Sequence, residues 1–192
     1  DNTVQMAADT IFRNNIVLGN VAIQSHQSSS PSNIEFVHNT VIASGNALDV
    51  RDVTGPVLIA NNAIYAQGAA IRLISGDLGK VQLAGNVGAG GLSGASSGYV
   101  DGNDIGNDMV NGNYSGVPPI DPFPATGSAL IGAGDANHIV SVDFNGTPRT
   151  RGVDAGAYAF QNGGNPGWQI SAAFKSIAQV PRPNPPSNVQ AE

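Results

Sequence analysis

Apolar residues recur at every second position through the first ninety residues, in short bursts that each meet an asparagine. The segments "DTIFRNNIV", "NIEFVHNTV", "PVLIANNAI" and "KVQLAGNVG" align on Asn15, Asn39, Asn62 and Asn86, which stand 24, 23 and 24 residues apart. Three positions before each asparagine come Phe12, Phe36, Ile59 and Leu83; five before come Thr10, Ile34, Val57 and Val81; two after come Val17, Val41, Ile64 and Gly88. A step of two is the period of a strand with one face buried. A second apolar pair follows each asparagine: Val21/Ile23, Leu48/Val50 and Ile71/Leu73. Each unit therefore holds two or three short strands. A helical repeat does not fit the two-residue alternation or the glycine punctuation, and the Leu-x-x-Leu-x-Leu frame of a leucine-rich repeat is missing. The pattern predicts a parallel β-solenoid, each coil stacked on the last at about 4.8 Å.

That architecture explains why asparagine sits inside apolar text. An amide at the bend between two sheets can bond the backbone of the bend and the amide of the next coil, so a ladder satisfies buried polar groups coil after coil. Asn15, Asn39, Asn62 and Asn86 are predicted to form it.

Composition narrows the function classes. Among 192 residues, 41% are apolar and only 11% are charged, against roughly 25% charged in ordinary soluble domains. Polar uncharged residues must cover the surface. A net charge of −6 argues against nucleic acid and anionic membranes, which call for a basic face. Acidic polysaccharides stay open, because a few local arginines suffice for them. With no cysteine, disulfides and thiolate metal sites are excluded. No apolar run approaches the about 20 residues that span a bilayer.

The Asn-x-Val/Ile bends of residues 11–88 resemble those of the right-handed parallel β-helix proteins, the pectate-lyase-like superfamily. "GSALIGAGDA" (127–136) and "VDFNGTPRTRGVDAGAYAF" (142–160) resemble the ending of bacterial choice-of-anchor-Q surface and secreted proteins. Gly127, Ser128, Asp143, Gly146, Arg149, Asp154, Gly156, Ala157 and Tyr158 carry that likeness, with Ile131-Gly132 departing from a usual Ile-Asp. The resemblance implies an all-β, right-handed parallel β-helix of four or five coils with an irregular C-terminal segment and one short helix. It also implies a secreted or cell-surface location. It does not choose between lyase, hydrolase, epimerase and non-catalytic binder. Asp143 and Arg149 read as a loop ion pair that closes the last coil.

The remaining text divides the chain at 1–160 (coils and closing segment), 161–179 (packing helix) and 180–192 (Pro-rich linker). Residues 88–98 read as a flexible insertion. Residues 101–116 read as one more irregular coil, with Asn111 in line after Asn86. Asp101, Asp104 and Asp108 are candidate Ca²⁺ ligands, although Asp-Gly and Asn-Asp text also makes ordinary turns. In "NPGWQISAAFKSIAQ" (165–179), Asn165 caps a helix that puts Ile170, Phe174 and Ile177 on one face with Trp168 beside them. The text opens already in a strand, which predicts that an earlier β-helix portion or a second chain covers the open end.

Outward positions after each asparagine supply the candidate chemistry. Taking Ile23, Leu48 and Ile71 as inward places Gln24, Asp49 and Arg72 in one outward column, with His26, Arg51 and Ile74 one step along and Lys80 near the next bend. With only 8 basic residues in the chain, Arg51 and Arg72 beside Asp49 are the candidate catalytic group, and Gln24, His26 and Lys80 the candidate substrate contacts. Arginine pairs bidentately with a uronate carboxylate and eases removal of the neighbouring C5 proton. In the resembled lyases, Arg or Lys commonly serves as the base with a cation on the carboxylate. The plainer alternative is an exposed cross-strand salt bridge. His38 and His138 read as structural or solvated. Two functions compete: a lyase-like enzyme acting on an acidic polysaccharide, and a non-catalytic adhesion or glycan-binding module. No paired carboxylates stand on an outward column, which disfavours a hydrolase.

Overall fold

A computed structural model describes residues 4–6, 8–150 and 152–171. The chain coils through three strands at a time. The first coil is β1 (Val4–Met6), β2 (Ala8–Arg13) and β3 (Ile16–Leu18); the second is β4 (Val21–Ile23), β5 (Ser32–Val37) and β6 (Thr40–Ala43). The third is β7 (Leu48–Val50), β8 (Val57–Ala60) and β9 (Ala63–Ala66); the fourth is β10 (Ile71–Leu73), β11 (Val81–Ala84) and β12 (Asn86–Ala89). Like strands stack in parallel into three sheets, in the orders β1-β4-β7-β10, β2-β5-β8-β11 and β3-β6-β9-β12. The fold is a parallel β-solenoid, as the repeat predicts.

The register follows the sequence alignment residue for residue. Phe12, Phe36, Ile59 and Leu83 are cross-strand partners, as are Val17, Val41, Ile64 and Gly88. Inward side chains from all three sheets meet in one core, where Ile23, Phe36, Val41, Leu48, Ile59 and Ile71 are fully buried. Each such side chain contributes roughly 1.5–3 kcal/mol on burial. Phe12 and Phe36 stack with ring centroids 5.5 Å apart and planes 4° from parallel.

The bend between the second and third sheets is built the same way in every coil. The residue before each ladder asparagine is left-handed: Asn14 at φ 53°, His38 at 51°, Asn61 at 56° and Gly85 at 60°. Asparagine and glycine, and more rarely histidine, accept that region. The asparagine then locks three strands. The Asn62 Oδ1 accepts from the Asn39 backbone N–H (2.8 Å) and Nδ2 (3.1 Å), while its Nδ2 donates to the Phe36 carbonyl (2.9 Å) and the Asn86 Oδ1 (2.9 Å). Asn39 does the same one coil earlier, toward Asn15 and the Phe12 carbonyl.

After the fourth coil the chain closes the far end. β13 (Leu92–Ser93) extends the first sheet and β14 (Tyr99–Asp101) the third. Residues 88–98 are thus part of the solenoid and not an insertion. Between these strands the Gly98 carbonyl accepts from both the Asn86 N–H (3.3 Å) and its Nδ2 (2.9 Å), standing where a further asparagine oxygen would. Asn111 does not continue the ladder. It lies in β15 (Met109–Asn111), antiparallel to β16 (Asp121–Pro124), and its Nδ2 donates to the Pro119 carbonyl. Ile105 of helix α1 (Ile105–Asp108), Met109 of β15 and Ile120 pack a second apolar cluster with Ile42, Tyr65 and Val87 on the outer face of the third sheet.

The segment 127–160 then crosses the bend column. Gly156 N–H donates to the Asn61 carbonyl, Ala157 N–H to the Thr40 hydroxyl, and the Asn14 Nδ2 to the Val142 carbonyl. Asp143 and Arg149 are not the ion pair expected. Asp143 accepts from the Asn145, Thr147 and Ala159 N–H groups. Arg149 donates to the Gly156 and Tyr158 carbonyls and to the Asn14 Oδ1. The irregular loop leaves many backbone groups without ladder partners, and each charge is used to satisfy them. Burial pulls the Arg149 pKa down to about 10 although Asp143 and Asp154 oppose the shift.

The expected helix over 165–179 does not begin where the sequence placed it. Residues 165–171 are extended or bent, with Gly167 N–H on the Asn165 Oδ1, Trp168 N–H on the Asn145 Oδ1, and Ile170 bridged to Ile120. The antiparallel bridge between Ile170 and Ile120 takes the backbone here out of the helical path. Trp168 lies 6.1 Å from Phe144 and packs on the closing segment. Residues 172–192, including Phe174, Ile177 and the Pro-rich stretch, fall outside the described residues.

Two predictions follow from the bend. Asn62→Ala removes four buried bonds, to the Asn39 N–H and Nδ2, the Phe36 carbonyl and the Asn86 Oδ1, each worth about 0.5–1.5 kcal/mol net. It should therefore cost roughly 3 kcal/mol or more in urea unfolding, and Asn15→Ala at the end of the ladder about 1. Equal costs would deny the ladder its cooperativity. The second concerns His38, fully buried with its Nε2 accepting from the Asn61 Nδ2 at 3.1 Å. Burial, and then the Arg149 charge, hold its pKa down from 6.5 to about 3. The unfolded chain takes up a proton below pH 6.5 that the folded chain refuses. Stability is full above that pH and falls as pH drops toward 3, by about 1.4 kcal/mol per unit. Chemical denaturation between pH 7 and 4 should show this slope, and His38→Gln should flatten it.

Candidate functional site

The outward face of the first sheet carries the charge cluster. β7 and β10 run side by side with Asp49 opposite Arg72. Because Leu48 and Val50 on one strand and Ile71 and Leu73 on the other point into the core, the residues between them must point out. Arg72 clasps Asp49 with two bonds, Nε to Oδ1 at 2.7 Å and Nη2 to Oδ2 at 2.6 Å. Arg51, two residues along the same strand, donates its Nη2 to Oδ2 at 2.9 Å. One carboxylate thus holds two guanidinium groups, and one positive charge is in surplus.

The titration of Asp49 and Arg72 follows from their contacts. Partial burial pushes the Asp49 carboxyl up, but hydrogen bonds from Arg72 first and Arg51 next outweigh it and hold the group below its usual value. The hydrogen bond to Asp49 raises the Arg72 pKa in turn. Both side chains stay charged: the Arg72 guanidinium has no lone pair to offer, and the Asp49 carboxylate, with bonds from two arginines on it, is a weakened base.

A groove of about 400 Å³ lies over the pair. It is lined by Asp49 and Arg72, by the turns at Asn20 and Asn46, and by the loop at Tyr114 and Ser115; Arg51 is not part of the lining. Asp49 is the sole carboxylate lining it, so the paired acids of a glycosidase are missing from this groove. Tyr114 is half-buried against the cluster on the third sheet and lines the same groove as Arg72.

The structure brings some of the predicted residues together and separates others. Asp49, Arg51 and Arg72 form one group. Gln24 does not share their column: Val21, not Ile23, pairs with Leu48, which sets Ala22 opposite Asp49. The eight-residue connection from Ile23 to Ser32 is longer than its counterparts, and this hides the register from sequence. Gln24 therefore falls two residues along, level with Arg51 and Ile74 (Arg51 N–H bonds the Ile23 carbonyl and Ile74 N–H the Val50 carbonyl). His26 is exposed in the turn beyond, bridged to Ser29. Lys80 sits in a 3₁₀ turn, donating to the Thr54 carbonyl and paired with Asp77 at 3.3 Å. Gln24, His26 and Lys80 do not line the groove.

The candidate Ca²⁺ carboxylates are also apart. Asp104 caps α1 on the Gly106 N–H, and Asp101 is an exposed residue of β14. Asp108 is fully buried and accepts from the Tyr65 hydroxyl (2.6 Å), the Ala129 N–H (2.8 Å), and the N–H and Nδ2 of Asn103. Burial raises its pKa, yet these bonds, Tyr65 foremost, leave it lowered. It is a hub that pins the closing loops to β9. Among the described residues no group of three His, Asp or Glu side chains is placed to hold a metal ion. Sequence reading missed Tyr114 and the turns at Asn20 and Asn46, which approach Asp49 only through coiling. Their one signal is a recurrence of Gly, Asn and Ser at 19–20 and 44–46.

No protein-family model, no curated protein and no solved structure matches the chain. The class that the coordinates define is a parallel β-solenoid of about four coils. The expected likeness to the pectate-lyase-like and choice-of-anchor-Q proteins finds its support in that fold and in nothing finer.

The two carboxylates differ in what they hold, and the difference is measurable. Asp49→Ala releases side chains that are already 33% and 43% exposed, so it should cost about 1 kcal/mol or less. Asp108→Ala strands a buried hydroxyl and buried amides and should cost roughly 3 kcal/mol. Urea unfolding midpoints of the two variants should therefore separate widely, with Asp108→Ala the weaker protein.

Proposed function

We propose that this chain is a non-catalytic, secreted or cell-surface module that binds an acidic polysaccharide in the groove over β7 and β10. The observation that carries this reading is the clasp at Asp49. Arg72 spends Nε and Nη2 on it and Arg51 spends Nη2, so each guanidinium keeps an Nη1 for a ligand. Arg72 lines a polar groove in a chain of net charge −6, and Arg51, outside that lining, shares its carboxylate. A uronate carboxylate meets a planar, pre-oriented donor there, and Tyr114 offers a flat surface to the sugar ring. The expected resemblance to the pectate-lyase-like superfamily points to the same ligand class. The same clasp argues against the lyase alternative, because it leaves Asp49 a poor base and Arg72 a poorer one.

Calorimetric titration with polygalacturonate and alginate, with dextran as the neutral control, tests the proposal. Binding should be confined to the acidic polymers and weaken with salt. Arg72→Ala should lower affinity about tenfold or more, the loss of one charge-assisted pair. Asp49→Asn should keep or strengthen it, because both arginines are freed. Wild-type silence toward both acidic polymers, or indifference to Arg72→Ala, would refute the site. Release of unsaturated uronate products, read by their ultraviolet absorbance, would restore the lyase reading.

A further inference from the structure

The groove beside β7 and β10 has one lining residue that the clasp does not involve. At the turn into β7, the Asn46 Oδ1 accepts from the Ala69 N–H of the next coil at 2.9 Å. That coil presses on the same oxygen: a Cβ on Gly68 would stand 2.6 Å from it. The Gly68 N–H in turn donates to the Gly45 carbonyl at 2.9 Å. A backbone N–H only donates, so the amide oxygen of Asn46 must face the next coil and its Nδ2 must face away from it.

The fold makes no use of that nitrogen. Among the described residues no acceptor is bonded to the Asn46 Nδ2, and the atom is not enclosed, so solvent reaches it. Asn46 lines the same groove as Asp49 and Arg72. A Cβ on the neighbouring Gly45 would meet nothing within 4 Å, so the rim beside Asn46 is open. Asn46 stands three residues before Asp49, a reach of at most about 10 Å. A neutral donor with a fixed direction and a guanidinium with a fixed direction thus share one polar groove, close enough for one stretch of polysaccharide to meet both.

Resting on the glycan reading above, we propose that Asn46 is a further ligand-binding residue of this groove and sets its choice among acidic polymers. Its Nδ2 donates to a neutral oxygen of the polysaccharide, a hydroxyl, ring or bridging oxygen, while Arg72 takes the carboxylate. The two contacts select for different things. Every uronate carries a carboxylate, so Arg72 selects for acidity, and its contribution weakens with salt. Hydroxyl groups differ in position from one sugar to another, so a donor of fixed direction favours the polymer whose oxygen meets it. A neutral hydrogen bond of this kind is not screened by salt.

Calorimetric titration of the full chain with polygalacturonate and with alginate tests this through two substitutions. Asn46→Asp keeps an oxygen for the Ala69 N–H and loses the donor, whereas Asn46→Ala loses both. Each should weaken binding of the preferred polymer about fivefold or more, the effect of one net hydrogen bond. The loss in Asn46→Asp should persist at high salt, where the added charge is screened. Loss in Asn46→Ala alone would assign the effect to the turn, and a loss in Asn46→Asp that salt abolishes would assign it to repulsion; either overturns the proposal. Full binding by both variants, with Arg72→Ala still weakened, overturns it as well and leaves the glycan reading standing. Silence of the wild type toward both polymers refutes the glycan reading and the role of Asn46 with it.

Discussion

The structure depends on satisfying the backbone where the second sheet turns into the third. A sharp bend inside a stack of coils carries N–H and C=O groups that no ladder between strands can reach, and water is excluded from them. One asparagine per coil solves this with four bonds, two accepted and two donated, to the bend of the coil before, the strand end of the coil before and the amide of the coil after. The solution works only if the coil length is constant at that point, because each amide must stand over the next. The spacing of 23 or 24 residues between asparagines is therefore a geometric requirement, whereas the connections elsewhere vary freely in length.

The closing segment grows out of the same bend. A left-handed residue precedes every ladder asparagine, and its side chain projects away from the ladder. Asn14, His38 and Asn61 form a polar stripe in this way. Residues 127–160 dock along that stripe: Asn61 binds the backbone of Asp135 through both side-chain atoms, and Asn14 reaches Val142 and Arg149. His38, enclosed between them, is neutral because burial and Arg149 make its charged form costly. The motif text of the C-terminal third is consequently a strap, in which Asp135, Asp143, Arg149 and Asp154 bond backbone groups.

The coils were legible in the sequence because strand parity and the asparagine interval are both periodic, and periodicity survives without coordinates. The facing pairs of the second and third sheets, Phe12 through Leu83 and Val17 through Gly88, could be written down in advance. The end of the repeat could not. Gly98 closes the ladder with a backbone carbonyl, an atom every residue has, so nothing in the sequence marks it. The non-helical path of residues 165–171 was equally hidden, since it goes with a bridge from Ile170 to Ile120, far away in the chain. The buried role of Asp108 was obscured for a related reason: its partners Tyr65 and Ala129 are 43 and 21 residues away.

The charge cluster shows where such a reading divides into a reliable part and an unreliable one. Which face a strand residue takes is set by counting in twos, so Asp49, Arg51 and Arg72 were correctly placed outward together. Which residues lie abreast is set by connection length, and a slip of two residues preserves the face while exchanging every neighbour. That slip is why Gln24 was set beside Asp49 when Ala22 stands there. The consequence is chemical as well as geometric. With alanine on that side of Asp49, the carboxylate has no competing polar neighbour across β4 and is clasped by the two arginines alone. A polar residue in that place would have loosened the clasp and freed a base. The carboxylate that results stays ionised between two guanidinium groups, one of them held in register by the strand opposite.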